Sequence, residues 1–318
     1  MVAERDSFDD IVGRSSAIRR VFRQIRQISR FDVLVLITGE SGTGKDLVAR
    51  AIHGHSPRAQ GPYYPVNMGA IPKDLIASTL FGHEKGAFTG ANEARAGMFE
   101  SAHGGTLFLD EISTMDELTQ VSLLRVIETG KYQRVGGTKF LQTNARIIAA
   151  TNVDLNRMVK EGSFRADLYH RLNVFHISLP PLRKRGKDVL LLTREFLRRY
   201  GEEFGKKITD ISPEAKKLIG SYLWPGNVRE LENVIMRAVI TAEGDTLSPD
   251  LLKSEVQSSE LQPDSVILEV GTTLEEAEKQ LISKTLAEVG GNKGEAAKLL
   301  GISRKGIYNK VKKYGIGQ

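Results

Sequence analysis

A run of β-branched residues and leucine, Val33-Leu-Val-Leu-Ile-Thr38, ends directly on Gly39, Glu40, Ser41, Gly42, Thr43, Gly44 and Lys45. No other stretch restricts the fold so tightly. A continuous apolar run of this kind is a strand buried on both faces, which belongs in a parallel sheet covered by helices. The glycines let backbone N–H groups turn inward on an anion. The helical pattern from Asp46 to Ile52 adds a helix N-terminus with its partial positive charge. Together they form a phosphate cradle in which Lys45 reaches the β and γ phosphates of a nucleotide. The usual pattern has Ser or Thr after the lysine as a Mg²⁺ ligand. Here Asp46 offers a hard anionic oxygen instead.

Three further runs read as buried strands: Gly105-Thr-Leu-Phe-Leu109, Arg146-Ile-Ile-Ala-Ala-Thr151 and Val174-Phe-His-Ile-Ser-Leu179, the last stopped by Pro180-Pro181. Strands separated by helical segments predict an α/β, doubly wound, mostly parallel sheet. Asp110 and Glu111 follow the first of these runs. A carboxylate there can hold Mg²⁺, directly or through water, and the next can polarise an attacking water. Asn152 ends the following strand on the same sheet edge, where it can orient that water or simply make a turn. After Pro181 the pattern predicts helices at Asp188–Tyr200, Pro213–Ser221 and Asn227–Thr241, with no strand. The polar stretch 246–272 reads as linker. Helices are then expected over Leu274–Val289, Asn292–Leu300 and Ser303–Lys313. The expected division is thus an α/β unit at 8–181, a helical lid at 182–245, a linker at 246–272 and a helical domain at 273–318.

The chain has 318 residues and no cysteine, which excludes disulfides, thiol catalysis and cysteine-held metals. No secretion signal is expected from its first residues, and no apolar run comes near the roughly 20 residues of a membrane span. A cytoplasmic protein with no membrane partner is expected. His53 and His55 flank a glycine without an evident third ligand, and no metal site is expected there. The formal charge is +6, and the last sixteen residues hold Arg304, Lys305, Lys310, Lys312 and Lys313 with no acid. A basic end of this kind suits phosphate backbones. Ala296-Ala297-Lys-Leu-Leu-Gly301-Ile-Ser303 reads as helix, glycine turn and Ser303 N-cap. The helix after it turns Ile307 and Val311 to a core and presents Arg304, Lys305, Tyr308, Asn309, Lys310 and Lys312. That face suits the major groove of double-stranded DNA, or else is a solvated basic face. Gly306 within that helix costs it about 1 kcal/mol relative to Ala.

Five segments occur together in order: Gly39–Lys45, Gly86-Ala-Phe-Thr-Gly-Ala91, Gly105–Glu111, Phe164-Arg-Ala-Asp-Leu-Tyr169 and Trp224-Pro-Gly-Asn-Val-Arg-Glu-Leu231. With them the chain resembles the NtrC-type bacterial enhancer-binding proteins, the sigma-54-dependent transcription activators. The resemblance covers residues 8–245 and 273–315. It implies an AAA+ ATPase with a helical lid and a Fis-like helix-turn-helix, working with ATP and Mg²⁺. It implies that Lys45 binds phosphate, that Asp110 serves Mg²⁺ together with Asp46, and that Glu111 activates water. Asn67 would hold Glu111 and couple it to the loop. Arg165 and Arg171 would be arginine fingers reaching a neighbouring subunit's ATP, and Arg229 would lie over the phosphates of its own. Ile11, Val12 and Gly13 would line the adenine pocket.

The loop of Gly86, Ala87, Phe88, Thr89, Gly90 and Ala91 has a glycine near each end, which permits a tight mobile hairpin with Phe88 exposed at its tip. By resemblance, this loop contacts sigma-54 within its RNA polymerase, and Lys131–Gly136 forms a second pore loop. The family also implies a homo-oligomer, a hexameric ring assembled from dimers, on an upstream palindromic site. No N-terminal receiver domain is expected in this chain. The alternatives are an AAA+ remodeller of another client and a DNA-binding regulator whose ATPase fold is inactive.

Overall fold

In the computed structural model, residues 7–252 and 271–316 are described. The chain divides into two compact units at Leu251/Leu252. In the first, five strands form the central sheet: β1 (Val35–Thr38), β2 (Tyr63–Asn67), β3 (Thr106–Asp110), β4 (Arg146–Thr151) and β5 (Phe175–Ser178). They run β5-β1-β4-β3-β2, every neighbouring pair parallel. Alternation sends successive side chains to opposite faces. Val35, Ile37, Phe108, Ile148, Ala150 and Ile177 join one core with α1 (Ser16–Ile28) and α2 (Lys45–Gly54). Leu36, Leu107, Leu109, Ile147 and Ala149 join the other with α3 (Lys73–Phe81), α4 (Glu117–Thr129) and α5 (Ala166–Leu172). Both faces of β1, β3 and β4 are covered, which is why these three strands read as unbroken apolar runs.

Four of the five strands fall within or beside the runs expected from sequence. The fifth, β2, is not among them. It sits at the sheet edge with Tyr64, Pro65 and Asn67 exposed, so it has no apolar pattern, and an edge tolerates its proline. The register pairs Thr38 with both Thr151 and Ser178, and Asn67 with Asp110. The strand ends carrying Gly39, Asn67, Asp110 and Asn152 therefore meet on one edge of the sheet.

The lid comprises α6 (Asp188–Phe204), α7 (Pro213–Ser221) and α8 (Asn227–Thr241). The expectation of a strandless lid is corrected. Asp210–Ile211 pairs in parallel with Thr246–Leu247, which lies in the stretch expected as linker. Buried Ile211 and Leu247 explain the pairing: two apolar side chains are pinned to the lid by a short ladder. Residues 253–270 of the expected linker lie outside the described residues.

The second unit holds α9 (Leu274–Glu288), α10 (Lys293–Leu299) and α11 (Arg304–Tyr314). Each begins on a side-chain cap: Thr273 with Glu276 in a capping box, then Asn292, then Ser303. Ile282, Leu286, Ala296, Ala297, Ile307 and Val311 form its small core.

Candidate functional site

The phosphate cradle is built by backbone shape. Gly42 and Gly44 adopt left-handed φ of +75° and +93°. A Cβ on Gly42 would also stand 2.2 Å from the Gly226 carbonyl of the lid, so glycine is required there twice over. Lys45 is only 8% exposed. Its ammonium donates to the Gly39 carbonyl at 3.0 Å and the Glu40 carbonyl at 3.2 Å. Burial lowers its pKa, while Asp110 and Glu111 work to raise it. The loop thus curls around a cation poised at its mouth.

Lys45 shares a cleft of about 250 Å³ with Ser41, Asp46, Asn67, Asp110, Glu111 and Arg229. These come from the loop after β1, α2, β2, β3 and the lid. Asp110 Oδ1 accepts the Glu111 N–H at 3.0 Å. Glu111 has a left-handed φ of +57°, a strain of about 1–3 kcal/mol for a non-glycine residue of the kind that collects at functional sites. Arg229 donates to Ser41 Oγ at 3.3 Å, beside the cradle as expected. Asn67 ends β2, and its carboxamide oxygen accepts the Gly69 N–H at 2.9 Å.

Two expected parts of the site stand apart from this cleft. Asn152 lines a separate hollow of about 410 Å³ with Gly39, Glu40 and His176. Ile11 is buried in the core with Ile18, and Ile11–Val12 pairs antiparallel with Ser7–Phe8. Gly13 packs so closely that a Cβ there would be 2.6 Å from Ile18 Cγ2 and 2.9 Å from Asp188 Oδ2. These three residues support the fold beside the site and do not line the phosphate cleft.

Sequence reasoning missed the clamp that holds the loop to the lid. Asn227 is fully buried with a left-handed φ of +54°. Its side-chain nitrogen donates to the Ser41 carbonyl at 3.0 Å and to Glu40 Oε2 at 3.1 Å, and its oxygen accepts the Leu182 N–H at 2.8 Å. Arg183 forms a two-point ion pair with Glu40. The hydrogen bond from Arg183 is the main reason the Glu40 carboxyl is held down to about 2. Arg185, buried, donates to the Thr43 and Pro180 carbonyls, both at 2.9 Å. Burial brings its pKa down to about 10. Asp188 accepts the backbone N–H groups of Arg14 and Ser15. The only signal for these residues is Asn227 inside the segment Trp224–Leu231. The contacts that reach Glu40, Ser41 and Thr43 each span more than 140 positions.

Arg165 and Arg171 lie on the surface and do not line their own chain's cleft. Arg165 is the extended N-cap of α5. It pairs with Asp167 at 2.7 Å and Glu117 at 3.6 Å, and the Asp167 hydrogen bond raises its pKa. Arg171 pairs with Glu128 at 3.1 Å.

The Gly86–Ala91 loop closes on itself, with Gly86 N–H donating to the Ala91 carbonyl at 2.8 Å. Thr89 is exposed at its turn. Phe88 is exposed, as the sequence predicts, at 36%, and its ring also meets His83 edge-on at 5.1 Å. The neighbouring loop braces this one. Glu84 N–H donates to the Val135 carbonyl, Val135 N–H to the Gly82 carbonyl, and Arg134 pairs with Glu84 and Glu100.

In the second unit, Ser303, Arg304, Lys305, Tyr308, Asn309 and Lys312 are exposed. Lys310 differs from these in its surroundings. It is half-buried in an ion pair with Glu278 of α9, which also accepts from Tyr314 at 2.5 Å. Lys313 pairs with Glu275 at 2.8 Å. The basic end is therefore partly neutralised by acids on α9. Gly306 lies in the first helical turn, where its N–H donates to the Ser303 cap at 3.0 Å, so the cost of an interior glycine does not fall on it.

Comparison with known proteins agrees with this arrangement. The sigma-54 interaction domain matches residues 11–178, more than half of the chain. The AAA+ ATPase lid domain matches 183–266, and the Fis family of bacterial regulatory proteins matches 273–314. The NtrC transcriptional regulator of Proteus hauseri is 44% identical, over 98% of this chain and 71% of its own. AtoC of Escherichia coli K12 is 44% identical over 96% and 68%. The crystal structure of NtrX from Brucella abortus in complex with ATP has a TM-score of 0.74 at 34% identity, over 96% of this chain and 70% of that one. Its ADP complex has a TM-score of 0.73. The chain belongs to the sigma-54-dependent transcription activators of the NtrC type, built from an AAA+ ATPase, its lid and a Fis-type helix-turn-helix.

Proposed function

We propose that this activator turns over ATP at the cleft between Lys45 and Glu111 and passes the energy to sigma-54 through Phe88 and Thr89. One observation carries the reading. Lys45, Asp46, Asn67, Asp110, Glu111 and Arg229 converge from α2, β2, β3 and the lid on one cleft. A buried ammonium at a glycine cradle takes phosphate, and the Asp46 and Asp110 carboxylates in the same cleft offer the hard oxygens that suit Mg²⁺. The cation, when bound, neutralises the charge that develops on the phosphates. Lys45 and Arg229 hold and orient them, and the Glu111 carboxylate takes the proton of the attacking water. Asn67 and Asn152 orient groups at the sheet edge. Ile11, Val12 and Gly13 support the base pocket.

Arg165 and Arg171, outside their own cleft, act on a neighbouring subunit's ATP, which makes turnover depend on a hexameric ring built from dimers. The ring works in the cytoplasm. Arg304, Lys305, Tyr308, Asn309 and Lys312 read an upstream palindromic site in double-stranded DNA, with Ser303 capping their helix. The functional domains run 8–181, 182–245 and 273–318.

The test is trapping: purified protein, sigma-54, Mg²⁺ and an ATP transition-state analogue, resolved on a native gel. A nucleotide-dependent complex that disappears in Thr89→Ala is expected, with ATP turnover retained in the variant. The same complex in Thr89→Ala would remove the loop from the mechanism.

A further inference from the structure

From Gly39 to Thr43 each backbone carbonyl of the phosphate loop is taken by a donor. Lys45, at the loop's own end, holds those of Gly39 and Glu40. The next three are held by the lid. Asn227 Nδ2 donates to the Ser41 carbonyl at 3.0 Å. The Val228 and Arg229 N–H groups donate to the Gly42 carbonyl at 3.0 and 3.3 Å. Arg185 Nη2 donates to the Thr43 carbonyl at 2.9 Å. Asn227 and Arg185 are 0% and 2% exposed, so both side chains are fixed by packing.

A trans peptide unit is planar, and its C=O and N–H point in opposite directions. Among the described residues no peptide bond is cis. A carbonyl drawn to the lid therefore turns the following N–H away from the lid. The N–H after Ser41 belongs to Gly42, and the one after Thr43 belongs to Gly44. Both glycines line the Lys45 cleft. Among the described residues no backbone carbonyl takes either N–H. These two units are also the ones most able to turn over. Gly42 and Gly44 have φ of +75° and +93°, and glycine accepts φ of either sign at similar cost. A reversed unit would face the phosphates with a carbonyl oxygen, which repels them.

We propose that Asn227 and Arg185 are positioning residues of the phosphate site: by holding the Ser41 and Thr43 carbonyls from the lid, they point the Gly42 and Gly44 N–H groups at the nucleotide's phosphates. This rests on the reading of the cleft as an ATP site. Both residues act through the loop's backbone, and the lid decides which pole of each peptide faces the cleft.

The experiment uses the full chain, carrying isotope-labelled glycine, and compares ADP with adenosine, which has the base and no phosphate. Asn227→Gly is the leading variant, because glycine keeps the left-handed φ of +54° and no charge changes. It should bind ADP roughly 10- to 100-fold more weakly, the worth of one hydrogen bond to a charged group, and bind adenosine as the parent does. The shift that ADP gives the Gly42 amide signal in the parent should shrink in the variant. Arg185→Lys keeps the charge but not the reach to both the Thr43 and Pro180 carbonyls, and should do the same at Gly44. Equal weakening of ADP and adenosine would make these residues merely structural and overturn the proposal. ADP affinity unchanged in both variants, or amide shifts equal to the parent's, would overturn it too. A parent that binds ADP no more tightly than adenosine would instead defeat the phosphate site itself, whatever the lid does.

Discussion

The two units hold their positive charge in opposite ways. In the ATPase unit Lys45 is buried, its ammonium fixed by two carbonyls and its loop fastened to the lid through Asn227, Arg183 and Arg185. In the helix-turn-helix unit Arg304, Lys305 and Lys312 stand in water on one short helix. A buried, preorganised cation recognises one ligand in one geometry and is little screened by salt. Exposed cations bind a polyanion largely by releasing its counterions, an interaction that weakens steeply with salt. The first arrangement suits the phosphates of one nucleotide, and the second suits a repeating polyanion.

The strongest way to break this contrast is at Lys45. Lys45→Ala should weaken ATP binding by roughly 100-fold, the value of a charge-assisted hydrogen bond in a dry site, and turnover should go with it. Calorimetry at low and high salt should give nearly the same loss, and a loss that vanished in high salt would make Lys45 a surface-like cation. The DNA face sharpens the comparison. Removing Arg304 or Lys305 should make the slope of log affinity against log salt shallower by about 0.9 for each phosphate no longer neutralised. Lys310→Ala should leave that slope unchanged, because its charge already faces Glu278. A slope that moved equally for Lys310 would mean that the α9 pair opens on DNA.

The smallest effect is expected at the clamp. Glu40 titrates near 2 in the folded chain against an ordinary 4.5, chiefly through its hydrogen bond from Arg183. A depressed carboxyl stabilises the fold above its unfolded value, and that contribution is lost as pH falls from about 4.5 toward 2. Across this window the parent's melting temperature should fall more steeply than that of Arg183→Met. The pair is half-exposed, so the difference should be a few degrees at most, and parallel curves would show that Arg183 does not hold Glu40.

What can be read in advance follows from how local each feature is. β1, β3 and β4 lie between two helical layers, and their composition alone marks them, while β5 at the other edge is marked by Phe175 and buried Ile177 ahead of Pro180-Pro181. The phosphate loop, Asp110 and Glu111 are contiguous motifs. β2 escapes because an edge strand with Tyr64 and Pro65 facing out carries no apolar period. Asp210–Ile211 and Thr246–Leu247 are too short to announce a strand. The clamp escapes for a different reason. Asn227, Arg183 and Glu40 are ordinary residue types whose meaning lies in pairings across 143 and 187 positions. Lys310 reads as exposed because helical spacing places it on the polar side, and only the packing of α9 brings Glu278 to it.

Trp224 is the chain's single tryptophan. Its indole is 1% exposed, donates to the Ile219 carbonyl at 3.0 Å and meets the Tyr222 ring edge-on at 4.9 Å. It stands three residues before Asn227, whose backbone N–H donates to the Trp224 carbonyl at 2.8 Å. The protein thus carries a native fluorophore wired to the clamp. Emission from the whole chain, excited at the red edge of indole absorption, comes from the lid alone, with no background from the helix-turn-helix unit. A stopped-flow trace on mixing with ATP would time the lid's response without a label and without cutting the chain.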